Sequence, residues 1–213
     1  DYKIEWWYYT GNLQANNGQE FGYQLTFFRS ALVPNIPKRK SRLAANQIYM
    51  AHFALTDIKA EVHTSIERYS RGTVGLAGAN GEPTYKVWLE DWSASQDAAG
   101  IVRLRAVDNQ IKPGIAIDLS FRETRQPLLH GERGLSQKGT KRGNANYYYS
   151  LVGLQTEGTI TSDGETYVIT GKSWMDHEFG TSALSEDVVG WDWFGLQLDN
   201  GTALMFGQLH QRD

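Results

Sequence analysis

Three observations predict an all-β chain of antiparallel hairpins: turn signals of the hairpin kind, a two-residue apolar period between them, and no apolar stripe of helical spacing over three turns. The first two strands, near residues 3–13 and 19–29, flank Asn16-Asn17-Gly18, whose Asn-Gly pair supplies the positive φ a tight hairpin needs. A loop over 30–45 with Pro34 and Pro37 leads to a strand near 46–57, and Ala79-Asn80-Gly81 precedes one near 84–95. Asp97-Ala98-Ala99-Gly100 opens the strand at 101–109, where Val102, Leu104 and Ala106 alternate with Arg103 and Arg105. The same alternation marks 114–124, with Ile115, Ile117, Leu119 and Phe121 on one face. After a Gly-rich, basic connection over 125–145, strands near 146–160 and 165–178 meet at Ser162-Asp163-Gly164. Strands near 190–199 and 202–210 meet at Asp199-Asn200-Gly201. Long strands with alternating faces favour a barrel or a strongly twisted sandwich.

With 213 residues, 40% of them hydrophobic, the chain is long enough to bury a sizeable core. A net charge of -3 provides no global positive field for nucleic acid. The short run Lys38-Arg39-Lys40 with Arg42, flanked by prolines, reads as a solvated loop. Absence of cysteine removes disulfides, thiolate nucleophiles and Cys-bearing zinc sites. No paired-histidine metal spacing, Gly-x-Ser-x-Gly elbow, phosphate loop or dinucleotide fingerprint occurs, so neither metal nor cofactor is expected. No apolar run reaches the roughly 18 residues of a transmembrane helix.

Chemistry concentrates in Gly171-Lys-Ser-Trp-Met-Asp-His-Glu-Phe-Gly180. On a strand, Trp174, Asp176 and Glu178 share one side and Met175, His177 and Phe179 the other. One side thus carries two acids beside an indole. The segment equally suits buried polar groups satisfied at a crowded corner. Trp6-Trp7-Tyr8-Tyr9, Tyr147-Tyr148-Tyr149 and Trp191-Asp192-Trp193 are dense aromatic blocks that must face both ways on their strands. Together they suit a greasy ligand whose developing positive charge is stabilised by ring faces. A carboxyl group in apolar surroundings stays protonated toward neutral pH, the property of a general acid. Asp192, between two tryptophans, reads either that way or as a strand-edge acid paired to an arginine.

Glu5-Trp-Trp-Tyr-Tyr-Thr-Gly11, Phe21-Gly-Tyr-Gln-Leu-Thr-Phe-Phe-Arg29, Ala51-His-Phe-Ala-Leu-Thr-Asp57, Val87-Trp-Leu-Glu-Asp-Trp92, Asn146-Tyr-Tyr-Tyr-Ser150, Ser173–Gly180 and Gly190-Trp-Asp-Trp-Phe194 together resemble the AttH-like, carotenoid 1,2-hydratase-like family of lipocalin-like proteins, also labelled secreted hydrolases. The resemblance spans nearly the whole chain. It implies two tandem lipocalin-like antiparallel β-barrels, with residues 1–182 the first and 183–213 the opening hairpin of a truncated second that packs on it. It also implies a periplasmic or secreted location. In the hydratases of this family a carboxylic acid protonates an isoprenoid double bond, and water adds to the cation. That role falls by resemblance on Asp176, with Trp174 and Tyr148 stabilising the cation and His177 or Glu178 orienting water or the acid. Trp7, Glu5, His52, Trp191 and Trp193 complete the expected substrate-binding set. A hydrophobic-ligand carrier is the second reading and a hydrolase using a carboxylate or activated water the third; fold analogy transfers the pocket more safely than the reaction.

Overall fold

The computed structural model describes residues 2–34, 41, 43–139, 141, 143–181 and 187–212. The run Lys38-Arg39-Lys40 with Arg42, and the expected boundary at 182/183, lie outside the described residues. The described residues form strands β1 (Ile4–Ala15), β2 (Glu20–Ala31), β3 (Gln47–Asp57), β4 (Val62–Arg71), β5 (Ala77–Asn80), β6 (Lys86–Leu89), β7 (Trp92–Gln96) and β8 (Val102–Asp108). They continue with β9 (Ile115–Glu123), β10 (Leu128–Leu129), β11 (Leu135–Gln137), β12 (Ala145–Ser162), β13 (Glu165–Gly180), β14 (Val188–Gln197) and β15 (Ala203–Gln211).

One antiparallel sheet in the order β4-β3-β2-β1-β13-β12-β9-β8-β7-β6-β5 curls into a nearly closed barrel, and β10 and β11 add to the outer reach of β12. Inward positions alternate along each strand. Phe21, Leu25, Phe27, Phe53, Trp92, Leu104, Leu119 and Phe121 are almost fully enclosed and fill the interior. Across the unpaired seam, Arg68 of β4 stacks its guanidinium 4.2 Å from the Trp92 ring centre. It also bonds Asp91, Asp108 Oδ2 at 3.3 Å and the Val107 carbonyl at 2.9 Å. One side chain thus ties the edge strand β4 to β7 and β8, strands with which it shares no ladder.

The expected single strand over 84–95 is two strands. Val87 and Leu89 point inward at odd positions, Trp92 and Ala94 at even ones, so a continuous strand would expose one pair. A turn at Glu90, with φ 55°, restores the inward face. The polar edge strand β4 was not anticipated, because its alternation buries little beyond the partly covered Ile66. Nor were the short β5, β10 and β11.

Two departures from regular pairing position the later site. Between Leu151 and Leu154, β12 gains a residue relative to β13, a β-bulge. Before it Tyr149 and Leu151 pack toward the core, after it Leu154 and Ile160 do; the switch leaves Tyr148 and Ser150 on the outer surface. Gln197 caps the irregular backbone, donating Nε2 to the Val152 carbonyl at 2.8 Å and to the Ser173 carbonyl at 3.1 Å. The second departure is the β14–β15 hairpin, which forms its own two-stranded sheet instead of extending the barrel. It rests on the outer face through Gln197 and through Trp193, whose ring lies 5.9 Å from that of Trp174 and 5.4 Å from that of Tyr8.

Candidate active site

Trp174, Asp176 and Glu178 project from the outer face of β13, yet all three are buried. The hairpin covers them from one side and the β10–β11 excursion from another. Pairing of Tyr8 and Ser150 with Asp176 across the ladders sets a phenol and a hydroxyl on either side of the carboxylate. Tyr148 OH donates to Asp176 Oδ2 at 2.7 Å, and Ser150 Oγ and Trp174 Nε1 donate to Oδ1 at 2.5 and 2.6 Å. Tyr148 in turn accepts from Trp193 Nε1 at 3.2 Å, and Ser150 Oγ lies 2.7 Å from His130 Nε2.

Among the described residues, every hydrogen-bond partner of Asp176 is a neutral donor. Burial raises its pKa above the ordinary aspartate value; the three hydrogen bonds oppose that and the neighbouring Glu178 adds to it. Burial, then the Asp176 charge, also holds the Tyr148 and Tyr8 phenols above their usual range. Lys138 is engaged by the neighbouring acid: its Nζ pairs with Glu178 Oε1 at 2.8 Å and sits 4.8 Å over the Tyr148 ring. Asn146 Nδ2 donates to the same Glu178 oxygen at 2.9 Å. Glu178 thus carries an ion pair beside a carboxyl group that has none among the described residues.

Between the outer face of β1 and the hairpin runs a cleft of about 350 Å³, walled by Tyr8, Gln24, Trp174, Trp193, Phe194 and Leu196. Its floor is the backbone of β1 at Gly11 and Asn12. Asp176 itself stands one side chain behind the wall, screened by Trp174 and Tyr148.

The other site residues read from the sequence fall elsewhere. His177, Glu5 and Trp7 share the inner face of the barrel. Glu5 pairs with Arg29 at 2.5 Å and with His177 Nε2 at 2.8 Å; His177 Nδ1 meets Tyr149 OH at 2.9 Å and its ring stacks on Trp7. Burial, with Glu123 and Glu5 nearby, pushes the Tyr149 phenol up to about 12. His52 lies on the outside of β3 against Phe28 and Glu67, and Trp191 is 64% exposed; neither contacts Asp176 in any recorded bond or ring pair. Asp192 pairs with His210 at 2.8 Å, not with an arginine. The structure thus gathers Asp176, Glu178, Trp174, Tyr148 and Trp193, and separates them from Glu5, Trp7, His177, His52 and Trp191.

Three participants escaped the sequence reading. Tyr8 had a signal, since its alternation with Trp7 and Tyr9 sends it outward. Ser150 depends on the bulge and His130 on the fold-back of β10 onto β12, and neither is visible in residue spacing. His130, Ser150 and Asp176 are the residue types of a hydrolase triad in the wrong order. Ser150 sits between the other two, gives its proton to the carboxylate and is wholly enclosed, so it offers no activated nucleophile.

The fold matches the crystal structure of a Nitrosomonas europaea protein assigned to AttH, with a TM-score of 0.86 and 34% identity, over 100% of this chain and 62% of that one. It also matches that of kievitone hydratase from Nectria haematococca, with a TM-score of 0.66 and 13% identity, over 96% of this chain and 60% of that one. The chain therefore spans less than two thirds of either protein. Among curated proteins no significant match is found. The AttH-like family matches residues 1–213. By that whole-length match, the chain belongs to the AttH-like family.

Proposed function

We propose that this protein supports a cofactor-free, acid-catalysed hydratase-type reaction on a hydrophobic, isoprenoid or lipid-like substrate, with Asp176 as the proton donor. The observation that carries this reading is a buried carboxyl group whose hydrogen-bond partners among the described residues are all neutral, raised in pKa by burial and bonded by Trp174 and Tyr148 beside an aromatic cleft. In the reaction the Asp176 proton adds to one alkene carbon, using the π electrons and leaving a tertiary cation. The ring faces of Trp174, Trp193 and Tyr8 stabilise that cation. Water then forms the C–O bond and its proton returns to the carboxylate. The similarity of fold to a protein named as a hydratase is consistent with this chemistry.

The carrier reading is favoured by a different observation: Asp176 lies behind the cleft wall and is saturated with donors. Mass spectrometry separates the two. Incubation with acyclic isoprenoid alkenes is expected to give products heavier by one water, and Asp176→Asn is expected to abolish them while retaining an apolar fluorophore. Binding without any product from the wild-type chain would establish the carrier.

A further inference from the structure

Among the described residues three donors reach Asp176, and one of them leads onward to a group able to take up a proton. Trp174 ends in an indole N–H, which has no acceptor site. Tyr148 leads to Trp193, another indole N–H. Ser150, with no exposed surface, leads to His130, whose ring is partly exposed. A serine hydroxyl has one hydrogen. Since Ser150 gives it to Asp176 Oδ1, the 2.7 Å contact to His130 Nε2 must be filled by an N–H on that nitrogen, which fixes the tautomer.

Resting on the acid role of Asp176 proposed above, we infer that His130 and Ser150 are proton-positioning residues, the path through which the buried carboxylate exchanges its proton with solvent while its aromatic side stays dry. A solvent proton on His130 Nδ1 makes an imidazolium. Its Nε2 proton passes to Ser150 Oγ as the Ser150 hydroxyl proton passes to Asp176 Oδ1, leaving a neutral ring protonated on Nδ1 and an uncharged acid. The two hydrogen bonds of the path survive with their directions reversed, and those from Trp174 and Tyr148 keep theirs. Reversal on the Tyr148 side would instead make the phenol accept from both Trp193 and Asp176 and strand its own hydrogen.

The surrounding groups are compatible with the transfer. Asp176 faces Tyr8 from β1, Tyr148 and Ser150 from β12, and Trp174 and Glu178 on its own strand. His130 faces Lys138 and the Tyr148 ring, whose centre lies 4.0 Å from its own. Burial and then Lys138 hold the imidazole below its ordinary value, while burial lifts the carboxyl, so the two ends approach each other in acidity.

Time-resolved infrared spectroscopy after a rapid drop in pH tests the path without any substrate. The carboxylic acid C=O band that Asp176→Asn removes reports protonation of this side chain. In His130→Gln, whose amide still donates to Ser150, and in Ser150→Ala, the band is expected to rise more slowly by an order of magnitude or more. In His130→Ala, added imidazole is expected to restore the rate. An unchanged rate in His130→Gln overturns the path and leaves the acid role standing, as does slowing that imidazole fails to rescue. Absence of the band at every pH where the wild type is folded overturns both.

Discussion

The two faces of β13 carry the same kinds of side chain and treat them differently. On the inner face the Glu5 carboxylate has Arg29 at 2.5 Å and His177 at 2.8 Å, so its charge is met by a fixed cation and an imidazole. On the outer face Asp176 has, among the described residues, a phenol, a hydroxyl and an indole as its partners, and Lys138 serves Glu178. Ion pairing secures a buried carboxylate in one protonation state, whereas neutral donors plus burial leave it able to change state. Only the second arrangement suits a group that must give up a proton and recover it. Removing Glu5 breaks the first arrangement most severely: Glu5→Ala severs the ion pair with Arg29 and the contact with His177. A loss of about 3 kcal/mol in urea unfolding is expected, the lower end of the range for severed buried pairs, because both side chains keep slight exposure.

The outer face is held together by rings from a separate sheet, so its weak point is the hairpin contact. Trp193→Ala deletes the ring pairs with Tyr8 and Trp174 and the bond to Tyr148. It should cost on the order of 1 kcal/mol and weaken near-ultraviolet circular dichroism from the tryptophans. Trp191→Ala, two residues away on the exposed side, should stay within about 0.5 kcal/mol of wild type. Equal effects at the two positions would mean that the hairpin does not rest on this face.

The contrast between faces was partly legible in the sequence. Period-two alternation placed Trp174, Asp176 and Glu178 together and His177 opposite, and the all-β class followed from the hairpin turns. Which face becomes the interior was not encoded in that alternation, because the outer positions are aromatic too and are buried by elements distant in sequence. The bulge at Leu151/Leu154 turns Ser150 outward through one extra residue, a register event without a residue signature. His130 lay in a stretch read as a loop, and Lys138 near its end; tertiary pairing of β10 and β11 with β12 brought both over Tyr148. Strand 84–95 failed for a related reason, since parity changes at Glu90 and a turn repairs what periodicity alone would misplace.

The subtlest expected effect is one of sign, and it sharpens the difference between a locked and a poised acid. Asp176 has its pKa raised in the fold, chiefly by burial, so the protonated form is the one the fold favours. Its contribution is fully present below the unfolded aspartate value of about 3.9 and is lost as pH rises through the folded value. Wild-type stability measured against Asp176→Asn should therefore improve on acidification and level off near that lower limit. His130 is shifted the other way, by burial and then Lys138, so its contribution is present above about 6.5 and is lost as pH falls through its folded value. Against His130→Gln the wild type should accordingly weaken on acidification. Urea unfolding across pH reads both slopes. Opposed signs are what an acid and an imidazole joined through Ser150 require, because burial opposes the charged form of each. Parallel slopes would mean that the fold favours the charged form of one of them, and the outer face would then be as locked as the inner.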